Sequence, residues 1–339
     1  MERRDLLKIG VGGLVGSMVP TALSLCNWKS PVYSGWVPNQ TATQEYLRRT
    51  ARPYLSQQTP KAFDGSGKDK VTLLYKYLEK AVGELVPHDQ TIGDCVGQAY
   101  GLAVDLLSAT QIHKNGLAER WVSKASTEAA YAGSRYEIGY TVYHNRRLLQ
   151  GDGSYGVYCA EFLRDYGVLV RKKYGDVDLT QYDAQIARDW GKNGVPDELE
   201  PIARKHPVRS FALVRSYNDC RDAIANGYPI VFCSGVGFNP NCRTHNRGGR
   251  DRFGFLKECG TWYHAMAGIA CDDKSNRPGI LIQNSWGRNW VRGGKRHRQP
   301  DGSFWVDAAT IDKMCQEGDS FALSGFLGFP MQELDYNLF

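Results

Sequence analysis

The spacing of apolar residues changes near residue 207, and this change limits what the chain can fold into. Before it, apolar residues recur at helical intervals, as in DKVTLLYKYLEKAVGEL at 69–85. After it, they form short runs rich in β-branched and aromatic residues, such as PIVFCSGV at 229–236 and GILIQNSWG at 279–287. A helical half followed by a strand-rich half is typical of the α+β class.

The same patterns predict individual elements. Helices are predicted over 69–85, 95–109, 127–139, 158–167 and 178–192. Strands are predicted over 209–216, 229–236, 264–273, 279–287 and 302–309. The chain therefore divides into a helical lobe at 69–206 and a β-rich lobe at 207–339.

The first 68 residues differ from the rest in composition. Residues 1–25 place adjacent arginines before a weakly apolar, Gly-rich stretch, which resembles a twin-arginine export signal and is too short for a stable membrane span. Residues 26–68 are polar and rich in Pro, Ser, Thr and Gly, which predicts an extended N-terminal arm on the surface, or a short propeptide, with few packed elements. We therefore expect a periplasmic or cell-surface protein, or a cytoplasmic one if residues 1–25 are not a signal.

Charge and cysteine content exclude some classes of function. The formal net charge of +6 is well below that of a nucleic-acid-binding protein. Nine cysteines are an odd number without the spacing of a dense disulfide framework. In an exported chain, Cys233–Cys242 or Cys242–Cys259 is the expected disulfide.

One cysteine stands at a place where thiols become reactive. In QTIGDCVGQAYGLAVDLL, Cys95 follows a polar loop and begins an apolar run at helical spacing. The free N–H groups and positive end of a helix lower the pKa of a thiol placed there. A small buried residue is the alternative, so the rest of the sequence has to decide.

A catalytic thiol needs a base and a group that orients the base. Of the seven histidines, only His264 begins an apolar, strand-like run. Asn284 ends the next predicted strand and can orient an imidazole, while Gln90 can donate to a developing oxyanion. Each of these residues is a weak signal by itself, and the set calls for neither a metal nor a cofactor.

This arrangement resembles the papain-like cysteine peptidases, in a divergent bacterial or phage-like branch. The order Cys95, His264, Asn284 matches that family, and NSWG at 284–287 followed by Trp290 is the most specific piece. The resemblance spans about residues 70–310. It implies a two-lobed fold with a β-barrel-like second lobe, and hydrolysis of peptides or proteins through a thioester acyl-enzyme.

The resemblance also implies roles for further residues. Trp286 would cover the hydrogen bond between His264 and Asn284. Gly153 and Ser154, in GDGSYG, would bind the substrate backbone. From their places beside His264 and on the preceding strand, we also expect Ala265 and Phe238 to line a hydrophobic specificity pocket, with a place in the core as the alternative for Phe238.

Four positions depart from the family pattern. Val96 stands where papain-type enzymes have Trp, Ser154 replaces a glycine, and Gln90 lies five rather than six residues before Cys95. Asp94 puts a negative charge beside the thiol, which raises its pKa. A protonated histidine and the helix start oppose that shift, so we expect a usable thiolate–imidazolium pair.

Three alternatives remain open at this point. The chain could be a non-catalytic binding or structural protein on the same fold. It could be an amidase or transpeptidase of cell-wall peptides, whose acidic polymer would meet the basic stretches at 242–252 and 292–298. Lastly, two Cys and two His have zinc-like spacing, namely Cys242, His245, Cys259 and His264. The oligomeric state is not predicted.

Overall fold

A computed structural model describes residues 33–115, 120–241 and 250–334. The predicted export signal at 1–25 lies outside them. The helices are α1 (Gln40–Arg49), α2 (Leu55–Gln58), α3 (Leu74–Val82), α4 (Cys95–Asn115), α5 (Thr127–Gly133), α6 (Gly156–Asp165), α7 (Ala184–Asn193), α8 (Glu200–Ala203), α9 (Tyr217–Ala225) and α10 (Ala308–Gln316). A π-helix, Ser134–Val142, continues α5, and 3-10 turns occur at Lys61–Phe63, Arg146–Leu149, Asp197–Leu199 and Arg296–Arg298.

Most strands form one antiparallel sheet. The strands are β1 (Val71–Leu73), β2 (Lys173–Tyr174), β3 (Val177–Asp178), β4 (Ser210–Leu213), β5 (Ile230–Phe238), β6 (Glu258–Asp272), β7 (Gly279–Gln283), β8 (Ser303–Asp307) and β9 (Phe321–Ser324). The main sheet has the order β4-β9-β5-β6-β7-β8, with β1 paired to the end of β6, while β2 and β3 form a separate hairpin. The predicted α+β class is confirmed. Over the described ranges the sheet is open, so the barrel-like second lobe was wrong.

Helix α4 is the central element of the helical half. Its residues 95–107 are all buried, because α3, α5 and β6 all pack against this helix. Gly97 permits the close approach of α5, since a Cβ there would lie 2.6 Å from the carbonyl oxygen of Thr127. No helix in the described parts of the chain is long and apolar enough to cross a membrane.

Residues 33–68 are more tightly packed than their composition suggests. Helix α1 begins where the Asn39 side chain accepts a hydrogen bond from Ala42 N–H, and its Tyr46 is buried. Trp36, Leu55 and Phe63 are also 2% exposed each. The expectation of few packed elements was wrong, because widely spaced aromatic and aliphatic residues anchor an otherwise polar segment in the core.

The cysteines differ from expectation in one respect. Six are free and buried, namely Cys95, Cys159, Cys220, Cys233, Cys271 and Cys315. The predicted Cys233–Cys242 disulfide is therefore wrong. Cys259 is disulfide-bonded, while Cys242 and His245 lie outside the described residues. A disulfide-bonded Cys259 cannot be a zinc ligand, which removes one member of the predicted zinc set.

Candidate active site

Cys95 is the first residue of α4 and lies where the helix meets the sheet. Its Sγ accepts a hydrogen bond from the backbone N–H of Ala265, at 3.3 Å. Ala265 is on β6, directly after His264. The fold therefore places the predicted nucleophile against the backbone of the residue that follows the predicted base.

The imidazole of His264 is held by one nitrogen. Its Nε2 lies 2.8 Å from Oδ1 of Asn284. The N–H of Ser285 also donates to this oxygen, which identifies it as the carbonyl oxygen of the amide. Because a carbonyl oxygen can only accept, Nε2 carries the proton and donates it in this hydrogen bond. Nδ1 is buried and has no hydrogen-bond partner in the described chain. It is the nitrogen left for proton transfer.

Aromatic rings surround this imidazole. The ring centroid of Trp286 lies 4.4 Å from that of His264, and Trp262 packs edge-on at 5.3 Å. Trp290 packs in turn against Trp286 at 5.5 Å. His264 and Asn284 are themselves 0% and 2% exposed.

Gln90 is placed beside Asn284 by a short antiparallel contact. Gln90 N–H donates to the carbonyl of Ser285, and Gly287 N–H donates to that of His88. The Oε1 of Gln90 accepts a hydrogen bond from the Ser285 hydroxyl, while its Nε2 donates to the carbonyl of Tyr33 at 2.6 Å. Nε2 also donates to Ile92 O at 2.9 Å. The amide therefore points its donors at a carbonyl of the N-terminal arm.

The loop with Gly153 and Ser154 rests on a cation that the sequence did not reveal. The guanidinium of Arg135 is 2% exposed and donates to the carbonyls of Gly151, Gly153 and Gly191. Gly153 N–H donates to the hydroxyl of Tyr131, and the Ser154 hydroxyl lies 2.6 Å from that of Ser134. Charged hydrogen bonds to three carbonyls are strong enough to fix the loop backbone.

Residues 33–37, which we call the cleft segment, run across this site. Gly35 and Trp36 both donate their N–H groups to the carbonyl of Tyr263, at 3.1 and 3.2 Å. Ser154 N–H donates to Gly35 O at 2.8 Å, and Val37 N–H donates to Ser154 O at 2.9 Å, so Trp36 forms a parallel bridge with Ser154. Cys95 and His264 are 0% exposed under this cover.

Comparisons with known proteins agree with this architecture. No family model matches the chain, and no curated protein matches it in sequence. Xylellain, a cysteine protease from Xylella fastidiosa, matches in structure with a TM-score of 0.54 and 17% identity, over 91% of this chain and 98% of that one. The chain has the papain-like fold.

Two further solved structures match more loosely. Procathepsin B S9 from Trypanosoma congolense has a TM-score of 0.46 and 12% identity, over 87% of this chain and 91% of that one. Digestive procathepsin L 3 from the larval midgut of Tenebrio molitor has a TM-score of 0.44 and 14% identity, over 83% and 79%.

Burial disfavours the charged forms of both Cys95 and His264. Burial raises the pKa of Cys95 to about 12, against the lowering effect of the Ala265 N–H. Burial also lowers the pKa of His264 to about 4, against the Asn284 hydrogen bond. The expected thiolate–imidazolium pair is therefore absent from the covered state, because the low-dielectric surroundings disfavour both charges.

Asp94 is a buried carboxyl rather than a solvated charge beside the thiol. Its Oδ2 accepts hydrogen bonds from Gln98 Nε2 at 2.8 Å and from the hydroxyl of Tyr182 at 2.9 Å. Oδ1 is buried with no partner in the described ranges. Burial raises the pKa of this carboxyl from its ordinary 3.8 to about 7, although both donors oppose the shift.

The raised pKa of Asp94 predicts a specific pH dependence of stability. The unfolded chain releases this proton near pH 3.8 and the folded one near pH 7, so folding loses stability as the pH rises through that window. Asp94→Asn removes this loss. We expect the variant to gain about 4 kcal/mol relative to wild type between pH 4 and pH 8, measured by urea unfolding. A difference that does not change with pH would contradict this account.

Phe238 belongs to the core of the sheet rather than to a specificity pocket. It is 0% exposed, and its ring lies 4.9 Å from that of Phe304 and 5.8 Å from that of Trp262. The strand β5 is buried along its whole length. Its run of apolar residues is therefore explained by packing in the core of the sheet. The assignment of Phe238 as a pocket wall is corrected accordingly.

Proposed function

We propose that the chain is a cysteine peptidase that hydrolyses peptide bonds through Cys95, His264 and Asn284. One observation carries the proposal. The imidazole is fixed through Nε2, its Nδ1 has no hydrogen-bond partner in the described chain, and the Cys95 thiol accepts a hydrogen bond from the N–H of Ala265, which follows His264. This arrangement supports a nucleophile, a base and a group that orients the base.

The reaction proceeds in two acyl transfers. His264 Nδ1 takes the Cys95 proton, and Sγ forms a bond to the carbonyl carbon of the peptide. The imidazolium then gives that proton to the departing amine as the C–N bond breaks, which leaves a thioester. Water attacks the thioester, its proton passes to Nδ1, and the carboxylic acid leaves as Cys95 recovers a proton.

Gln90 supplies oxyanion stabilisation in this mechanism. Its Nε2 already donates to the carbonyl of Tyr33, and that oxygen stands in for the carbonyl oxygen of a substrate. A donor that is fixed before the reaction costs no reorganisation when negative charge develops. Ser154 would bind the substrate backbone through the two groups that now pair with the cleft segment, and Trp286 would shield the imidazole.

The described state is a latent form of this enzyme. The cleft segment covers the thiol and occupies the backbone groups of Ser154, so a substrate cannot bind until the segment leaves. We also propose that the enzyme is exported, with residues 1–25 as its signal. The disulfide at Cys259 supports an oxidising compartment.

Labelling of the thiol tests the proposal. Gly35→Ala should open the cleft, because an added Cβ would lie 1.9 Å from the carbonyl oxygen of Gly93. In that background, an epoxide that targets papain-like cysteines should label Cys95 selectively, as located by mass spectrometry. Adding His264→Ala should slow labelling by at least a hundredfold, and adding Cys95→Ala should abolish it.

The same experiment decides between catalysis and a non-catalytic role. Covered, neutral Cys95 and His264 are the observation that favours the non-catalytic alternative. If the opened protein labels Cys95 no faster when His264 is present than when it is absent, the thiol is not activated. The peptidase proposal then fails.

A further inference from the structure

The side chain of Trp36 fills a pocket whose base is a carboxyl group. The indole Nε1 donates to Oδ2 of Asp319 at 2.7 Å, and both residues are almost completely buried. The ring centroid of Tyr263 lies 6.2 Å from that of Trp36. This tryptophan is therefore held by its backbone at Ser154 and by the far end of its side chain at Asp319.

Asp319 lies in otherwise weakly polar surroundings. Its Oδ2 and Oδ1 also accept hydrogen bonds from Gly156 N–H and Val157 N–H, at 2.8 and 2.7 Å, at the first turn of α6. A Cβ on Gly156 would lie 2.7 Å from Cys233 Sγ and 2.8 Å from Asp319 Oδ2, so glycine leaves the space that the carboxyl occupies. No basic side chain forms an ion pair with Asp319 over the part of the chain that is described.

Release of the cleft segment leaves this carboxyl short of a donor. The two backbone N–H groups of α6 remain, but Oδ2 loses the indole. Loss of a hydrogen-bond donor destabilises a buried acceptor. A substrate side chain that enters the vacated pocket is therefore favoured if it places an N–H group where the indole N–H of Trp36 was. An aromatic side chain of the same shape without that group would leave Oδ2 with the Gly156 N–H as its one remaining donor among the described residues.

We propose that Asp319 determines specificity by selecting peptides with tryptophan at the residue that pairs with Ser154. This inference rests on the proposed peptidase function, which supplies the reaction. The backbone contacts of Ser154, to Gly35 O and from Val37 N–H, are ones that any extended peptide can make. A substrate residue at this point then directs its side chain into the pocket that Trp36 now fills.

Matched peptides test the proposal on the full-length Trp36→Ala protein, in which the pocket is vacated. Two fluorogenic peptides differ only in tryptophan against benzothienylalanine, which replaces the indole N–H by sulfur at nearly equal shape. We expect kcat/KM at least tenfold higher for the tryptophan peptide at pH 8, where the carboxyl, whose pKa burial raises to about 7, is ionised. Equal rates for the two peptides would overturn the proposal.

Two further measurements separate the possible failures. If neither peptide is hydrolysed, anisotropy measures their binding to Trp36→Ala combined with Cys95→Ser. Tenfold tighter binding of the tryptophan peptide then upholds the pocket while the peptidase function fails, and equal binding overturns the pocket. If Trp36→Ala does not fold, full-length Trp36→Phe removes the N–H alone. It should speed alkylation of Cys95 at least fivefold, and an unchanged rate would show that Asp319 only caps α6.

Discussion

Gly35→Ala is expected to raise the rate of Cys95 alkylation by roughly ten- to a hundredfold in the full-length protein. The new Cβ would lie 1.9 Å from Gly93 O and 2.3 Å from its carbonyl carbon, and both are backbone atoms that cannot rotate away. Overpacking of this kind costs about 1–3 kcal/mol, and each 1.4 kcal/mol is about a tenfold change in population. The cleft segment should therefore spend far more time away from the thiol.

The neighbouring residue provides a matched control. The Ser34 hydroxyl is buried and has no hydrogen-bond partner in the described residues, so Ser34→Ala should leave the alkylation rate within about twofold. Both rates are measured with iodoacetamide at fixed pH, followed by mass spectrometry of the Cys95 peptide. A Gly35→Ala protein that reacts as slowly as wild type would show that the segment does not limit access to the thiol.

Arg135→Met is expected to lower the free energy of unfolding by about 3 kcal/mol or more. The substitution leaves three carbonyl groups without their donor, those of Gly151, Gly153 and Gly191, and two of these belong to the loop that precedes α6. An unsatisfied buried acceptor costs about 1–3 kcal/mol. The loop should also loosen its hold on the cleft segment, so alkylation of Cys95 should speed up together with the loss of stability.

Arg188→Met provides the control for this second prediction. Arg188 binds Asp152 in the same loop at 3.0 Å, but its side chain is 45% exposed. An exposed ion pair contributes about 0–1 kcal/mol, so urea unfolding should show a loss within that range. If Arg135→Met is no more destabilising than Arg188→Met, the buried guanidinium does not support the loop.

The sequence predicted the positions of elements with strong periodicity but not their ends, since α4 runs to Asn115 rather than 109 and β7 ends at Gln283 rather than 287. The helix at Cys95 and the strand at Gly279–Gln283 lie where their apolar patterns indicate. Asn284 could be related to His264 because antiparallel neighbours such as β6 and β7 bring residues about twenty positions apart into contact. The order of the candidate site residues along the chain, Cys95, His264 and Asn284, could therefore be predicted from the sequence.

The parts that were missed depend on long-range contacts. Arg135 lies within the predicted helix at 127–139. The neighbouring sequence gives no sign that its guanidinium binds the carbonyls of three glycines elsewhere in the chain. Asp319 lies far along the chain from Trp36, and only the fold joins them. The polar composition of residues 26–68 predicted a surface arm, whereas a few buried anchors such as Trp36 decide where the described residues 33–68 lie.

The thiol's electrostatics were also beyond local reasoning. A helix start lowers the pKa of a cysteine when solvent can reach it, and the sequence supports that expectation. Burial of Cys95 under the cleft segment raises the pKa of the thiol instead, because desolvation outweighs the lowering effect of the nearby N–H groups. Reactivity here is a property of the conformational state and not of the residue's position in its helix.

The pairing of β1 with β6 limits how this protein can be divided into fragments. Val71–Leu73 belongs to the helical half by sequence, yet it pairs with Ala270–Asp272 at the end of β6. A fragment that begins at residue 207 would lose this partner and expose a free strand edge, which is a template for aggregation. The two halves therefore cannot be exchanged between homologues as modules, and chimeras should carry β1 together with β6 from the same parent.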